Sequence, residues 1–256
     1  MSTTLPLRND PLPTTSSVIV GSSTRGLLIA SLIMAAWAVS LAALLRTSPS
    51  ERHPIWMILA VCWQAFLYTR LFVTAHDAMH GAVAPHHPKL NRFIGTLVLL
   101  LYGLFSYKQL FKTHWQHHHH PASPLDPDFH DGTHKNPFAW YFHFLQRYWS
   151  WRRLLALIAS FHAMHLLLHV PESKSLMFWI VPSLFSSVQL FYFGTYLPHR
   201  EPTGGYQNTF FAQSTPRPLL LSLLACYHFG YHYEHHAYPH APWWQLPAIA
   251  NHRVAD

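Results

Sequence analysis

The chain has 256 residues, with 10 Asp+Glu against 17 Lys+Arg and 23 His. Charged residues make up 11% of it and aromatics 15%; a soluble domain carries ~25% charge, so both a disordered chain and an ordinary soluble enzyme are disfavoured. The formal charge of +7 does not indicate a nucleic-acid partner, because the basic residues are scattered, and the distant Cys62 and Cys226, which form no C-x-x-C, indicate neither a disulfide framework nor a cysteine-based zinc site.

In chain order, the Ser/Thr/Pro-rich residues 1–25 read as a loose tail and residues 26–256 as a single membrane domain. Five apolar stretches follow, close to the ~20 residues a membrane-spanning helix needs: Leu27–Leu45, Ile55–Ala75, Phe93–Phe111, Leu154–Val170 and Leu176–Leu197. The second begins after Pro54, a favoured helix start, and carries Arg70 inside it. The third has a Tyr102-Gly103 step at which to bend. Pro171–Ser175 is short enough to make the last two an antiparallel hairpin.

If the third stretch is re-entrant or interfacial, the other four place thirteen Lys/Arg on one side and three on the other, with Arg70 inside a span. Such a bias marks the cytoplasmic side. The expected fold is therefore all-α: an integral, multi-pass membrane bundle of about four spanning helices, with one re-entrant or interfacial segment and a cytoplasmic His-rich cap.

Three histidine clusters fall on that side. His76-Asp77-Ala-Met-His80 gives an i, i+4 pair; His114, His117 and His118 give i, i+3, i+4; and His232, His235 and His236 repeat that pattern. Such spacing lets imidazoles of one helix converge on an ion, each with its other nitrogen free for an orienting hydrogen bond. Eight ligands exceed what one tetrahedral ion uses, so two metal ions are expected. Imidazole suits zinc, copper, iron and nickel alike.

Asp77 either orients its neighbouring ligand or caps the turn; Asp126 and Asp128 either orient imidazoles or shape the Asp-Pro-Asp turn. Glu234 projects away from its histidines. His162, His165 and His169 share one face of the fourth stretch, while His130, His134, His143, His240 and His252 read as interfacial.

HDAMHG at 76–81, H-x-x-HH with DPDF across 114–129, FGTYLPHREP at 193–202, CYHFGYHYEHH-x-YP at 226–239 and PWWQLP at 242–247 together resemble the bacterial and cyanobacterial beta-carotene ketolases of the membrane fatty-acid desaturase and hydroxylase superfamily. The resemblance runs from about residue 25 to 250. It implies a non-haem centre of two iron ions with His76, His80, His114, His117, His118, His232, His235 and His236 as ligands, and His199 as a ninth; His120 also fits the second box.

It further implies two successive O2-dependent hydroxylations of the carbon-4 methylene of a carotenoid β-ionone ring, giving a ketone. The carotenoid would enter from membrane lipid, along aromatic residues such as Phe72, Tyr102, Phe105, Tyr107, Phe191 and Tyr192. With no iron–sulfur or flavin motif in the chain, electrons would come from a ferredoxin-type donor. The alternatives are a ring hydroxylase or acyl desaturase of the same superfamily and, in another class, a membrane metal transporter or sensor. The implied setting is the bacterial inner membrane or a cyanobacterial membrane, with the active site on the cytoplasmic face.

Overall fold

The computed structural model describes residues 21–47 and 53–255, so most of the expected tail lies outside the described residues. Among these the chain is helical, apart from one isolated antiparallel bridge between Ser214 and Tyr231. It divides into two compact units, one of residues 21–111 and 148–190, the other of 112–147 and 191–255.

The first unit is built on long apolar helices. Helix α1 (Ser23–Arg46) starts where the Ser22 hydroxyl accepts from the Arg25 N–H, inside the stretch read as tail. Helix α2 (Pro54–Met79) starts on Pro54, with the His53 ring nitrogen accepting from the Ile55 N–H at 3.3 Å. Helix α3 (Pro88–Gly103) ends where Leu104 turns left-handed, and α4 (Tyr107–His119) leaves at 99°. The expected bend at Tyr102-Gly103 is therefore present, as a broken span or a re-entrant loop.

Helix α6 (Trp151–Leu168), after the amphipathic α5 (Pro137–Arg147), buries no residue. Together with α7 (Glu172–His199), helices α1 and α2 are long and apolar enough to cross a membrane, and the bent pair makes a fourth candidate if counted as one. The stretch read as the fourth span is not among them: its helix holds Arg152, Arg153, His162 and His165, which dilute its apolar character.

Close approach in this unit relies on glycine. A Cβ on Gly26 would sit 2.0 Å from the Val83 carbonyl oxygen, and one on Gly95 would sit 2.3 Å from the Tyr107 ring and 2.8 Å from the Ala78 methyl. Lipid tails are as apolar as leucine, so helix association there depends on such close packing and on interhelical hydrogen bonds. Both are present. Thr69 Oγ1 lies 2.6 Å from Gln189 Oε1 and 3.0 Å from Ser186 Oγ, and Ser40 donates to Gln64 Oε1 at 2.7 Å. Leu28, Leu32, Val39, Ile55, Ile58 and Leu59 face outward, as lipid-facing side chains do.

Helix α7 contains two π-helical stretches, Leu176–Ile180 and Phe191–Tyr196. Each ends two residues before a proline, Pro182 and Pro198. Proline cannot donate to the carbonyl four residues back and its ring collides with it, so a widened turn just ahead relieves the clash.

In the second unit, Trp140 of α5 is buried and its indole N–H donates to the Asp128 carbonyl at 2.8 Å. Its ring packs edge-on against Phe129, His130, Phe191 and Tyr196. Helix α8 (Leu219–Cys226) stops at two consecutive left-handed residues, Tyr227 and His228 (φ 45° and 65°), which reverse the chain into α9 (His232–Ala237). Helix α10 (Leu246–Ala255) closes a small core of Tyr231, Ala241, Leu246 and Ala250.

Candidate metal centre

Helix α4 places His114, His117 and His118 on its last turns, and α9 places His232, His235 and His236 on a single short helix. His199 ends α7, where Arg200 leaves the helix in an extended conformation. In the second unit, nitrogens of His117, His199, His232 and His236 all lie within 4.8 Å of one another, and all four residues are buried. The Nε2 atoms of His199 and His232 are 2.9 Å apart; those of His117 and His236, and of His232 and His236, are 3.2 Å apart.

Two nitrogens bound ~2.1 Å from one ion at tetrahedral or octahedral angles are themselves separated by about 3 Å. The nest therefore fits a metal ion in both donor type and spacing.

Two of the rings are aimed by their far nitrogens. His199 Nδ1 lies 3.0 Å from the Phe211 carbonyl, which it reaches as an N–H donor, leaving Nε2 for the nest. Tyr206 clamps the same residue by donating to the His199 carbonyl at 2.6 Å. His117 Nδ1 lies 2.9 Å from Asp126 Oδ1. Asp126 also accepts the Ala122 N–H on Oδ2 and the Asp128 N–H on Oδ1, so one carboxylate both faces the ring and shapes the turn. Asp128 is farther, 4.0 Å from His117 Nδ1.

Burial, followed by the neighbouring imidazoles, pushes the proton affinity of His236 well below the ordinary histidine range, so the ring is neutral at pH 7. Burial pushes Asp126 upward, but the adjacent His117 ring and the hydrogen bonds it accepts outweigh this and hold its carboxyl below the usual range.

His114, His118 and His235 form a further group in this unit. His118 and His235 bring their Nε2 atoms to 3.0 Å, and the His114 ring is 4.7 Å from His118 and stacks on His235 at 6.2 Å. In the first unit, His76 and His80 are buried at the end of α2 with ring centroids 5.0 Å apart. Asp77 is buried beside them, its carboxylate 3.8 Å from His76 Nδ1, beyond hydrogen-bond range. Its backbone carbonyl accepts from the His80 and Ala82 N–H groups and so holds the turn.

The turn has a second brace: the Ala78 carbonyl accepts from Asn91 Nδ2 at 2.7 Å and from the Tyr107 hydroxyl at 2.8 Å. The sequence reading missed Asn91, Tyr107, Tyr206 and Phe211 as supports. Only Asn208, whose side chain accepts the Phe210 N–H and donates to the Ala212 carbonyl, marks the Phe211 loop as a built turn.

The remaining histidines do not join these groups. His119 and His120 are exposed. Glu234 is buried and its carboxylate accepts from the Ser214 hydroxyl, away from the imidazoles. His130 accepts the Gly132 N–H, and His134 lies 2.6 Å from Asp131. The His162–His165–His169 face is broken because α6 ends at Leu168: His169 is its left-handed cap, His165 contacts the Val170 carbonyl, and His162 lies 4.0 Å from Glu172.

A family model described as fatty acid desaturase matches residues 52–152 and 137–256. The chain is 41% identical over 218 residues to a beta-carotene ketolase of Paracoccus sp. (strain PC1), covering 84% of this chain and 88% of that protein. To a beta-carotene ketolase of Paracoccus sp. (strain N81106 / MBIC 01143) it is 39% identical over 225 residues, 87% of this chain and 90% of the relative. A zeaxanthin 4-ketolase of Chlamydomonas reinhardtii is 42% identical over 185 residues, 71% of this chain and 41% of that longer protein.

Proposed function

We propose, for a chain that belongs to the beta-carotene ketolases of the fatty acid desaturase family, the oxidation of carbon 4 of a carotenoid β-ionone ring to a ketone. The reading assigns nine ligands, His76, His80, His114, His117, His118, His199, His232, His235 and His236, to two iron ions. The observation that carries it is the buried four-imidazole nest with His117 backed by Asp126.

When bound, the two irons supply the activation of dioxygen and the power to break an allylic C–H bond, which imidazoles lack. The protein does the rest. His199 and His117 hold their metal-facing nitrogens in one tautomer through Phe211 and Asp126. Burial keeps His236 unprotonated and so available as a ligand. Asp77 and Asp126 hold the turns that present the first and second boxes.

The ring is hydroxylated twice at the same carbon, and the resulting geminal diol loses water to give the ketone; the products are of the echinenone or canthaxanthin type. Each hydroxylation consumes dioxygen and two electrons, for which a ferredoxin-type carrier is the donor. The carotenoid reaches the centre from the bilayer, and the site faces the cytoplasm.

Of the aromatic residues expected along that route, Tyr102 and Phe191 are buried in ring clusters, so they pack the helices in this state, whereas Tyr192 is exposed. A metal transporter would need polar ligands in series through its spans; here the grouped histidines sit at helix ends.

Expression in beta-carotene-producing bacteria tests the activity: red 4-keto carotenoids are the expected product. Carotenoid that is only hydroxylated would favour the ring-hydroxylase reading, and unchanged carotenoid in iron-loaded cells would refute both.

A further inference from the structure

The first unit holds a cavity of about 400 Å³. Its floor is the turn that carries the first histidine box, including Met79 and Gly81, and its walls come from Ala84, Pro85, the start of α3 and the first turns of α4. Most of this surface is apolar. The polar side chains Asn91 and Tyr107 are already engaged in holding the Ala78 carbonyl.

That leaves two cations, Arg92 and Lys108, both exposed. Neither makes an ion pair among the described residues, and no carboxylate lines the cavity. The first turns of α3 and α4 contain no acidic residue either.

The cavity lies at the end of α2, a candidate membrane span, and hence at a membrane boundary. Leading away from it, Leu90, Phe93 and Leu100 of α3 and Phe111 of α4 are exposed. An apolar recess with cations at its mouth and an outward apolar track beside it matches one kind of molecule: an amphiphile with an anionic head. Basic pockets beside membrane helices select anionic lipid headgroups for this reason.

We propose that this cavity is a binding site for an anionic phospholipid, its phosphate between Arg92 and Lys108 and an acyl chain along the exposed face of α3. The inference goes beyond the ketolase reading and needs only that the chain sits in a membrane. The lipid would pack against the turn that ends α2, and so brace the Asn91 and Tyr107 hydrogen bonds that shape it.

The test uses the purified full chain in nanodiscs or detergent, with retained phosphatidylglycerol and phosphatidylcholine measured by mass spectrometry. The wild type should retain phosphatidylglycerol selectively. The R92Q/K108Q variant should bind it about 30-fold more weakly, from the value of two basic residues near an anionic surface, while R152Q/K174Q, which removes two cations elsewhere in the unit, should not. Raising the salt concentration should weaken the wild type toward the double variant.

Equal retention of the two lipids, or no loss in R92Q/K108Q, would overturn the proposal. So would displacement of the lipid by inorganic phosphate at matched concentration, which would reveal a simple anion site. A raised apparent KM for beta-carotene in R92Q/K108Q, with phosphatidylglycerol retention unaltered, would instead make the cavity a substrate pocket and also overturn it. Because retention is read without turnover, failure of the ketolase reading would leave this result intact.

Discussion

The two units solve the same problem, holding polar groups inside a folded chain, by opposite means. In the helix-bundle unit, several polar side chains meet partners across helices, Thr69 with Ser186 and Gln189 and Ser40 with Gln64, while His76 and His80 stand buried at the end of α2. In the other unit, four buried imidazoles point their nitrogens at one another, at a spacing that suits a shared ion. The first is mainly a packed helix scaffold that carries one histidine pair at its edge. The second is a set of donors suited to a cation, and under the proposed function its order would be linked to that cation.

The largest expected effect breaks the donor set alone. His236→Ala removes one of four converging nitrogens and should lower iron affinity and turnover by more than ~100-fold, judged against the loss when only an orienting partner is removed. Metal analysis of the purified variant checks it, and full iron content with normal turnover would refute the ligand role. Asp126→Asn should weaken metal binding about 10- to 100-fold, because the ring it faces loses a charged acceptor while the turn keeps its shape. A metal titration followed by circular dichroism separates these two effects.

Acidity sharpens the contrast next. In metal-free protein the folded His236 binds a proton less readily than in the unfolded chain, where its ordinary value is about 6.5. Below that value the unfolded state takes up a proton the folded state refuses. Stability is therefore fully present above pH 6.5 and falls as the pH drops, by at most about 1.4 kcal/mol per pH unit for one such group. Asp126, held below its usual range, adds a loss of the same sign at lower pH. Unfolding curves of chelated protein at pH 7.5 and 5 would show it, and greater stability at pH 5 would contradict it.

The smallest effect belongs to the scaffold: Thr69→Val should cost ~0.6 and no more than ~1.7 kcal/mol, with iron content unchanged in the same preparation.

Much of this contrast was legible in the chain. Apolar runs located α1, α2 and α7 to within a few residues, because a membrane helix must satisfy its own backbone and so declares itself by length and composition. Gly103 marked the bend. The i, i+3, i+4 histidines were visible because helical spacing is local, and Asp126 because it follows the second box closely.

Contacts set by loops were not legible. Nothing in the string announces that the Phe211 carbonyl holds His199, or that Asn91 and Tyr107 meet at Ala78, since these depend on chain reversals whose geometry is tertiary. The fourth apolar stretch is less plain for a different reason: its leucines give it the hydrophobicity of a span over a short window, while Arg152 and Arg153 fall within the helix that forms.

The widened turn before Pro198 has a consequence for how this chain can vary. One additional residue in a helical turn advances every later position by about 100° around the axis. The six residues from Phe191 to Tyr196 thus act as a vernier that sets the azimuth of His199. Exchanging their side chains alters packing. Deleting any one of them would leave the segment as apolar as before and yet rotate His199 away from His117, His232 and His236, so in this stretch the residue count constrains that grouping more tightly than residue identity does.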